Sequence, residues 1–381
     1  MALTSCQLRV VFDDFWVNAM SSQADGIDTR WFPSDYVSAR EWWLEAMRAV
    51  EAHYHSYPCE GLGPQGESLF TDTAWLGPEE SQAVVVIIAG THGIEGFAGS
   101  AVQLDLLHRW ANARSQPAEN TACLLIHALT PWGYAWCRRC DADGVDLNRN
   151  AVDFSQPLPD NADYDRLRPF LFHGSATERQ ASFRQFAELH GQVAFEKAIS
   201  GGQYTDPRGP FYGGLGPSHG RRVCEDLIAR YRLDQRRLAV IDLHTGLGPY
   251  GHGEIICDHA PQSSGAFTAQ RLYGDAVTLP LSGTSCSVPK WGLLDYLWHR
   301  VMDDDSCYVT LEFGSYGTQA LFDVLLDDHR LWMQATISDV ERQIQAKAMT
   351  RHFCPEDVIW RELVLFRSRQ VIAQAMAGVG A

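Results

Sequence analysis

Short apolar runs rich in β-branched residues constrain the fold of this chain more than any other feature. Residues 83–89 (Ala-Val-Val-Val-Ile-Ile-Ala) form a nearly unbroken apolar run, which is typical of a strand buried on both faces. Residues 122–128 and 238–243 repeat this signature, and residues 254–257 and 307–313 resemble it. The chain therefore contains several strands for the interior of one sheet.

Helical patterns separate or follow these predicted strands, at residues 34–52, 97–110, 222–231, 266–276 and 317–347. Alternating strands and helices predict an α/β fold, a three-layer sandwich around a mixed, mostly parallel central sheet. We expect residues 1–381 to form a single domain, with residues 1–80 as an N-terminal extension packed on it. Residues 151–220 are rich in polar residues, Gly and Pro, and are predicted to be a long insertion near an active site.

Composition excludes some classes of partner. The formal net charge is −16 with no basic stripe, whereas a nucleic-acid-binding protein needs Lys and Arg to displace phosphate counterions, so no nucleic acid is expected. No apolar run approaches the roughly 20 residues of a membrane helix, so no membrane partner is expected either. Ten scattered cysteines and a first segment unlike a signal peptide favour the cytoplasm. The oligomeric state is left open.

A histidine and a glutamate follow the first predicted strand. Residues 90–96 read Gly-Thr-His-Gly-Ile-Glu-Gly, at the edge of an α/β sheet where ligands bind. Three residues apart, His92 and Glu95 can present a nitrogen and a carboxylate to one cation from a single tight turn. In a purely structural reading, His92 caps a helix and Glu95 lies in its first turn.

A second histidine ends a later predicted strand. Residues 241–246 read Ile-Asp-Leu-His-Thr-Gly, and alternation places Asp242 and His244 on the same face of that strand. Catalytic zinc typically has three protein ligands and an open position for water, so His244 is the natural third ligand of a His2Glu set. Asp242 either orients an imidazole from outside the ligand set or is a strand-end charge.

Two further segments carry polar groups suited to catalysis. Residues 138–150 (Arg-Arg-Cys-Asp-Ala-Asp-Gly-Val-Asp-Leu-Asn-Arg-Asn) offer arginines for a bidentate grip on a carboxylate and asparagine amides for direction. The alternative is a polar surface loop. Residues 309–317 (Val-Thr-Leu-Glu-Phe-Gly-Ser-Tyr-Gly) place Glu312 at the end of an apolar strand, where it is either a buried structural acid or a general base.

The order of these motifs, His-x-x-Glu, Asn-Arg, Asp-x-His and a late Glu, resembles the carboxypeptidase A-like zinc peptidase superfamily. The segments His-Gly-Ile-Glu-Gly and Val-Asp-Leu-Asn-Arg-Asn resemble a bacterial branch of uncharacterised members. Asp-Leu-Asn-Arg and Asp-Leu-His-Thr also resemble the aspartoacylase and succinylglutamate desuccinylase branch. The resemblance covers about residues 80–325 and implies a zinc exopeptidase-like fold.

The resemblance also implies a role for each motif. His92, Glu95 and His244 would hold one zinc ion per chain, and Glu312 would be the base that deprotonates the zinc-bound water and then protonates the leaving amine. Zinc lowers the pKa of a bound water to about 7 and polarises the carbonyl.

Arginines and an asparagine match the substrate contacts of the family. Arg139, with Arg138 as the alternative, matches the arginine that polarises the scissile carbonyl and stabilises the oxyanion. Asn148 and Arg149 match the pair that grips a substrate carboxylate.

Two departures from the family are visible. Members often carry Asn-Pro before the arginine segment, where this chain has Thr130-Pro131. The tyrosine that covers the substrate has no secure match, and Tyr316 and Tyr212 are the candidates. No motif in the sequence indicates a side-chain specificity pocket.

The predicted activity is zinc-dependent hydrolysis of an amide bond in a small molecule or short peptide that carries a carboxylate. Carboxypeptidase action and deacylation of an N-acyl amino acid both fit. The alternatives are a non-catalytic zinc-binding protein on the same scaffold and a plain α/β protein in which the motifs are accidental.

Overall fold

The structure is a computed structural model that describes residues 27–113, 120–172 and 174–380. The described strands are β1 His53–Leu62, β2 Ser68–Leu76, β3 Ala83–Ala89, β4 Thr121–His127, β5 Arg237–Thr245, β6 Gly253–Ile256, β7 Val277–Thr278 and β8 Cys307–Phe313.

The described α-helices are α1 Tyr36–Ala49, α2 Gly96–Ala113, α3 Pro131–Ala135, α4 Ala162–Leu171, α5 Ala176–His190, α6 Gln192–Ser200, α7 His219–Arg230, α8 Ser264–Tyr273, α9 Asp295–His299, α10 Thr318–Trp332, α11 Asp339–Phe353 and α12 Val358–Gly378. Short 3-10 turns at Gly93–Glu95 and Leu147–Arg149 lie in the motif segments.

The strands form one sheet in the order β1-β2-β4-β3-β5-β8-β6-β7. The four consecutive strands β4, β3, β5 and β8 are parallel to one another. Antiparallel pairs flank them, because β2 runs against β4 and β6 runs against β8. The predicted mixed, mostly parallel sheet is confirmed.

Helices cover both faces of the sheet, which follows from the alternation of side chains along β3. Val85 and Ile87 belong to one hydrophobic cluster, which includes residues of α1, α2 and α12. Val84 and Val86 belong to a second cluster, which includes residues of α7 and α9. A strand buried on both faces needs apolar residues at every position, which explains its unbroken run. The predicted three-layer sandwich is confirmed.

Several elements were not predicted from sequence. β1 is an edge strand with mostly exposed residues, so it lacks the apolar run that identified the central strands. Residues 151–220 contain the helices α4, α5 and α6, and the predicted helical stretch 317–347 breaks between α10 and α11. Capping boxes begin α5 at Ser175 and α11 at Ser338, so local sequence signals for both starts are present.

The domain assignment of residues 1–80 and 151–220 stays a prediction. Strands β1 and β2 of the first range belong to the central sheet, and residues 1–26 lie outside the described residues. Nine cysteines fall in the described part of the chain and all nine are free thiols. No helix in that part combines the length and apolar character needed to cross a membrane.

Candidate active site

Three neighbouring parallel strands bring the main candidate residues to one edge of the sheet. The pairing of β3 with β5 places Ala89 opposite Leu243, and His92 follows Ala89 in the next turn. The pairing of β5 with β8 places His244 directly opposite Glu312. The residues therefore meet at the carboxyl ends of the strands, where open α/β sheets bind their ligands.

The turn after β3 is held by the segment that carries the arginines. The backbone N–H of Gly93 donates to the carbonyl of Arg139 at 3.1 Å, and that of Ile94 donates to the carbonyl of Arg138 at 2.8 Å. A Cβ on Gly93 would lie 2.2 Å from the carbonyl carbon of Gly133, so only glycine allows this approach. The turn and the arginine segment thus form one packed unit.

His92, Glu95 and His244 form the candidate metal site. Each offers a ligand atom, and these atoms all lie within 4.8 Å of one another. The three side chains are at most 3% exposed. Two imidazoles and a carboxylate are an established donor set for catalytic zinc. The cluster fits a metal ion by its geometry and its chemistry.

Asp242 fixes the orientation of His244. The Nε2 of His244 lies 2.7 Å from Oδ2 of Asp242, and its Nδ1 lies 3.1 Å from Oε2 of Glu95. Asp242 also accepts hydrogen bonds from the hydroxyls of Thr91 and Tyr308, at 2.8 and 2.7 Å. Two roles for Asp242 were compatible with the sequence, and its contacts are those of a carboxylate that orients an imidazole.

His92 lies between Asp146 and Arg139. Its Nδ1 is 3.3 Å from Oδ1 of Asp146 but makes no hydrogen bond within the described residues, and its Nε2 is 2.5 Å from Nη2 of Arg139. Arg139 also donates through Nη1 to Oε1 of Glu95 at 2.7 Å. The Arg139 guanidinium thus contacts two of the three candidate ligands. The buried Nδ1 of His92 makes no hydrogen bond within the described residues and is available to a cation.

Charges around the two histidines also suit a cation. Burial lowers the pKa of His92 well below its usual value, with the charge of Arg139 adding to the effect, so this ring is neutral as a metal ligand must be. Burial opposes the charged form of His244, but Asp242 and Glu95 outweigh it and raise its pKa well above the usual value. The site around His244 therefore favours a positive charge, which a metal ion can supply in place of a proton.

Glu312 is buried beside the ligand cluster. Its Oε1 accepts a hydrogen bond from the backbone N–H of Leu247 at 3.0 Å. Burial raises the pKa of Glu312 to about 7, and the negative charge of Glu95 contributes to the rise. A carboxyl group with this pKa can both take up and release a proton near neutral pH.

Asn148 and Arg149 keep hydrogen-bond donors that have no partner within the described residues. Arg149 is 1% exposed; its Nε and Nη2 donate to the carbonyl of Ser200, and its Nη1 donates to that of Asn148. A guanidinium has five N–H groups, so two remain for a ligand. Asn148 accepts a hydrogen bond from the Leu294 N–H through Oδ1, which leaves its NH2 group unused within the described residues.

One cavity joins these groups. Its volume is about 810 Å³ including the part open to solvent, and its lining includes His92, Arg139, Asn148, Arg149, His244 and Glu312.

Three of the predicted site residues do not line this cavity. Arg138 donates to Asp328 and stacks on Trp332, Tyr212 is buried between Val145 and Gln203, and Tyr316 is 46% exposed beside Tyr250. The structure brings Arg139 to the cavity, but not Arg138, Tyr212 or Tyr316.

Four charged residues at this site were not predicted from the sequence. Asp146 bridges His92 and Arg139, and its position inside the Asp-Leu-Asn-Arg segment could have revealed it. Lys290, Asp258 and Asp295 line the inner part of the cavity. Asp258 follows a predicted strand, which is a usable signal, whereas Lys290 and Asp295 lie in segments without a motif.

A family model matches residues 32–367. The chain belongs to the family described as "Protein of unknown function (DUF2817)". The site described above therefore belongs to a DUF2817 protein, in agreement with the uncharacterised branch expected from the motifs. A sequence search of curated proteins finds no match.

A comparison of this DUF2817 chain with solved structures finds several similar chains. Thrombin activatable fibrinolysis inhibitor is similar with a TM-score of 0.53 and 10% sequence identity, over 97% of this chain and 80% of that one. Succinylglutamate desuccinylase from Chromobacterium violaceum has a TM-score of 0.36 and 16% identity, over 83% and 74%. Murein-tripeptide amidase MpaA from Escherichia coli O157 has a TM-score of 0.31 and 15% identity, over 75% and 93%. The first similarity shows that this chain has the fold of thrombin activatable fibrinolysis inhibitor.

Proposed function

We propose that this protein is a zinc-dependent hydrolase that cleaves an amide bond and releases an amino acid with a free carboxylate. One observation carries the proposal: a cluster that fits a metal ion, a buried glutamate and unused carboxylate-binding donors all line the same cavity. A plain scaffold protein has no need for this combination. A hydrolase needs each part.

The carboxylate of the substrate would bind to Asn148 and Arg149. The two free N–H groups of Arg149 and the free amide of Asn148 are donors held in place by their other hydrogen bonds. Pre-positioned donors place a substrate without losing side-chain entropy on binding. The amide bond next to that carboxylate then lies towards the metal cluster and Glu312.

His92, Glu95 and His244 would hold the zinc ion, which supplies Lewis-acid chemistry when bound. Glu312 would accept a proton from the attacking water and deliver it to the leaving nitrogen. Arg139 would stabilise the negative charge that develops on the carbonyl oxygen, since its guanidinium is already directed at the ligand cluster.

N-acyl amino acids and N-blocked dipeptides both release an amino acid, so a screen should contain both classes with acidic, neutral and basic side chains. We expect the zinc-loaded protein to hydrolyse at least one of them. We expect Glu312→Gln to lower kcat by at least about 100-fold with unchanged zinc content, because an amide cannot accept the proton.

Glu356→Gln is the matched control, since Glu356 is exposed and does not line the cavity. It should retain the wild-type rate. A Glu312→Gln variant with undiminished kcat would refute the mechanism. Zinc binding without hydrolysis of any compound in the screen would favour the non-catalytic binding protein.

A further inference from the structure

A serine and a lysine that the proposed reaction does not use are in contact on the wall of the same cavity. Residues 287–290 read Ser-Val-Pro-Lys, and both Ser287 and Lys290 line the cavity. The Nζ of Lys290 donates to the Oγ of Ser287 and, at 2.8 Å, to the carbonyl of Val288. A Ser-x-x-Lys spacing also places a lysine beside the nucleophilic serine of some acyl-transfer enzymes. The contact between the two side chains therefore suits nucleophilic chemistry.

The hydroxyl of Ser287 can still donate its proton. Its Oγ accepts the hydrogen bond from Lys290, and its own O–H has no acceptor within the described residues. The neighbouring Ser285 differs, because its hydroxyl donates to Oε1 of Glu254 at 2.7 Å and accepts from the Ser287 N–H at 3.0 Å. A serine becomes a nucleophile when an adjacent base takes its hydroxyl proton. Ser287 has an amine in contact for this purpose, whereas the hydroxyl of Ser285 is used to hold the loop.

The surroundings of Lys290 favour the neutral amine that a base requires. Burial lowers the pKa of Lys290 to about 8, and the positive charges of Arg149 and Arg139 add to this effect. Three carboxyl groups also face the amine: Asp258, Glu312 and Asp295. The pKa stays below its usual value despite these acids, so a neutral Lys290 is accessible near physiological pH.

The loop that carries the pair is anchored on both sides. Before the pair, Glu254 of β6 accepts hydrogen bonds from the Ser285 hydroxyl and, at 3.2 Å, from the Cys286 N–H. After it, the hydroxyl of Tyr296 in α9 donates to the carbonyl of Lys290 at 3.2 Å. These anchors hold the serine and the lysine in position before a substrate binds, which removes an entropic cost from the reaction.

We propose that Ser287 is a nucleophile with Lys290 as its general base, and that the pair accepts an acyl group from an ester that enters the cavity. This activity is additional to the proposed amide hydrolysis. It requires neither the candidate metal ligands nor Glu312, so it does not rest on the proposed function.

The acyl transfer needs only the two side chains and water. The Oγ of Ser287 attacks the ester carbonyl carbon while its proton passes to the Nζ of Lys290. The bond from that carbon to the alcohol oxygen then breaks, and Lys290 returns the proton to the departing alcohol. A water that gives its proton to Lys290 attacks the acyl-serine, and the carboxylic acid leaves as Ser287 regains its proton.

A small alkyl fluorophosphonate tests the nucleophile, because an activated serine forms an oxygen–phosphorus bond with it and releases fluoride. The wild-type protein is first treated with a chelator, and peptide mass spectrometry identifies the labelled residue. We expect the label on Ser287, and Ser287→Ala should react at least about 100-fold more slowly. Ser282→Ala is the matched control, since Ser282 is exposed outside the cavity, and it should react at the wild-type rate.

Lys290→Met tests the base. We expect labelling of Ser287 to slow by about 100-fold or more, whereas Lys347→Met, at an exposed position, should keep the wild-type rate. Circular dichroism should check that each variant is folded. In wild type the rate should rise from pH 7 to pH 9, as the neutral fraction of Lys290 grows from about one tenth to about nine tenths. This pH dependence tests the base even if Lys290→Met does not fold.

Three results would overturn the inference: a label on another residue, no reaction of the wild type up to pH 9, or an undiminished rate in folded Ser287→Ala. A rate that is constant from pH 7 to pH 9 would contradict the role of Lys290. None of these results affects the proposed amide hydrolysis, which is measured on the zinc-loaded protein and depends on Glu312. Labelling of Ser287 in a protein that hydrolyses no amide would support the pair and contradict the proposed function.

Discussion

Asp242 holds one of the three candidate metal ligands, His244, from behind. Its carboxylate accepts hydrogen bonds from His244, Tyr308 and Thr91, and it is fully buried. The bond to Nε2 of His244 fixes the ring so that Nδ1 is directed at Glu95. A carboxylate behind a ligating imidazole holds its orientation and increases its basicity.

We predict that Asp242→Asn weakens zinc binding by about 10- to 100-fold, because the amide holds the His244 ring less firmly and carries no charge. Competition with a chromogenic chelator measures the affinity. Tyr308→Phe is the control, since it removes another hydrogen bond to the same Asp242 oxygen and leaves the bond to His244 in place. We expect a smaller loss for this variant. Equal zinc affinity in Asp242→Asn and wild type would contradict the role given to Asp242.

Single residues were predictable where a short motif carried them. His92 and Glu95 lie in one turn and His244 ends a recognisable strand, so local sequence was enough to select all three as candidates at strand ends. Asp258 and Asp295 come from separate segments that the sheet and α9 bring to one cavity. Their meeting depends on tertiary packing, which local patterns do not contain.

The turn between β3 and α2 depends on close packing against α3. Gly93 lies against the backbone of Gly133, and the backbone N–H groups of Gly93 and Ile94 donate to the carbonyls of the arginine segment. This contact sets the position of His92 and Glu95 on one side and of Arg139 on the other. Two elements distant in sequence thus share one contact at the centre of the site.

We predict that Gly93→Ala separates the turn from α3, lowers zinc content and reduces the free energy of unfolding by about 2 kcal/mol or more, because overpacking forces the backbone apart. Urea unfolding and elemental analysis measure the two effects. Gly216→Ala is the control, since a Cβ there has no atom within 4 Å and Gly216 is not in the left-handed region. A Gly93→Ala protein with normal stability and full zinc content would show that the contact is dispensable.

Whether a strand was predictable from sequence depended on how many of its residues are buried. The central strands β3, β4 and β5 are buried at nearly every position and produce unmistakable apolar runs. β1 is exposed along most of its length, so its pairing with β2 is determined by backbone hydrogen bonds that leave little trace in composition.

The whole molecule contains several histidines that the fold keeps neutral. Burial lowers the pKa to about 4 or about 3 in six of the described histidines: His127, His219, His259, His299, His329 and His352. His259 and His299 are also stacked, with ring centroids 3.6 Å apart, so their charges would oppose each other. Unfolding exposes these rings to water, where the usual pKa is about 6.5.

We predict that stability falls steeply below pH 6.5. A histidine with a lowered folded pKa stabilises the fold fully above its unfolded pKa, and this contribution is lost as the pH falls through 6.5 towards the folded pKa. For His127, whose folded pKa is about 4, the loss is about 3 kcal/mol. The melting temperature measured from pH 8 to pH 4.5 should be level at first and then drop.

His127→Gln should reduce the slope of that drop, and His53→Gln, at an exposed position, should leave the slope unchanged. A melting temperature that stays constant from pH 7 to pH 4.5 would contradict the prediction. The pH dependence belongs to the whole fold, because the six histidines are spread over helices, strands and loops.

The overall fold was predictable from the sequence, whereas the peripheral helices were not. Parallel buried strands alternating with helices allow few arrangements, so the mixed sheet with helices on both faces followed from periodicity. The helices of residues 151–220 and the long α12 depend on what they pack against. The same tertiary dependence applies to the inner half of the cavity.

The central claim is that His92, Glu95 and His244 bind a metal ion. Elemental analysis of wild type and His244→Ala, purified without added metal, tests it most directly, with His252→Ala as the control because His252 is exposed and lies outside the cluster. We predict about one zinc ion per chain in wild type and in His252→Ala, and almost none in His244→Ala. Wild-type protein that contains no metal and takes up no zinc would contradict the account.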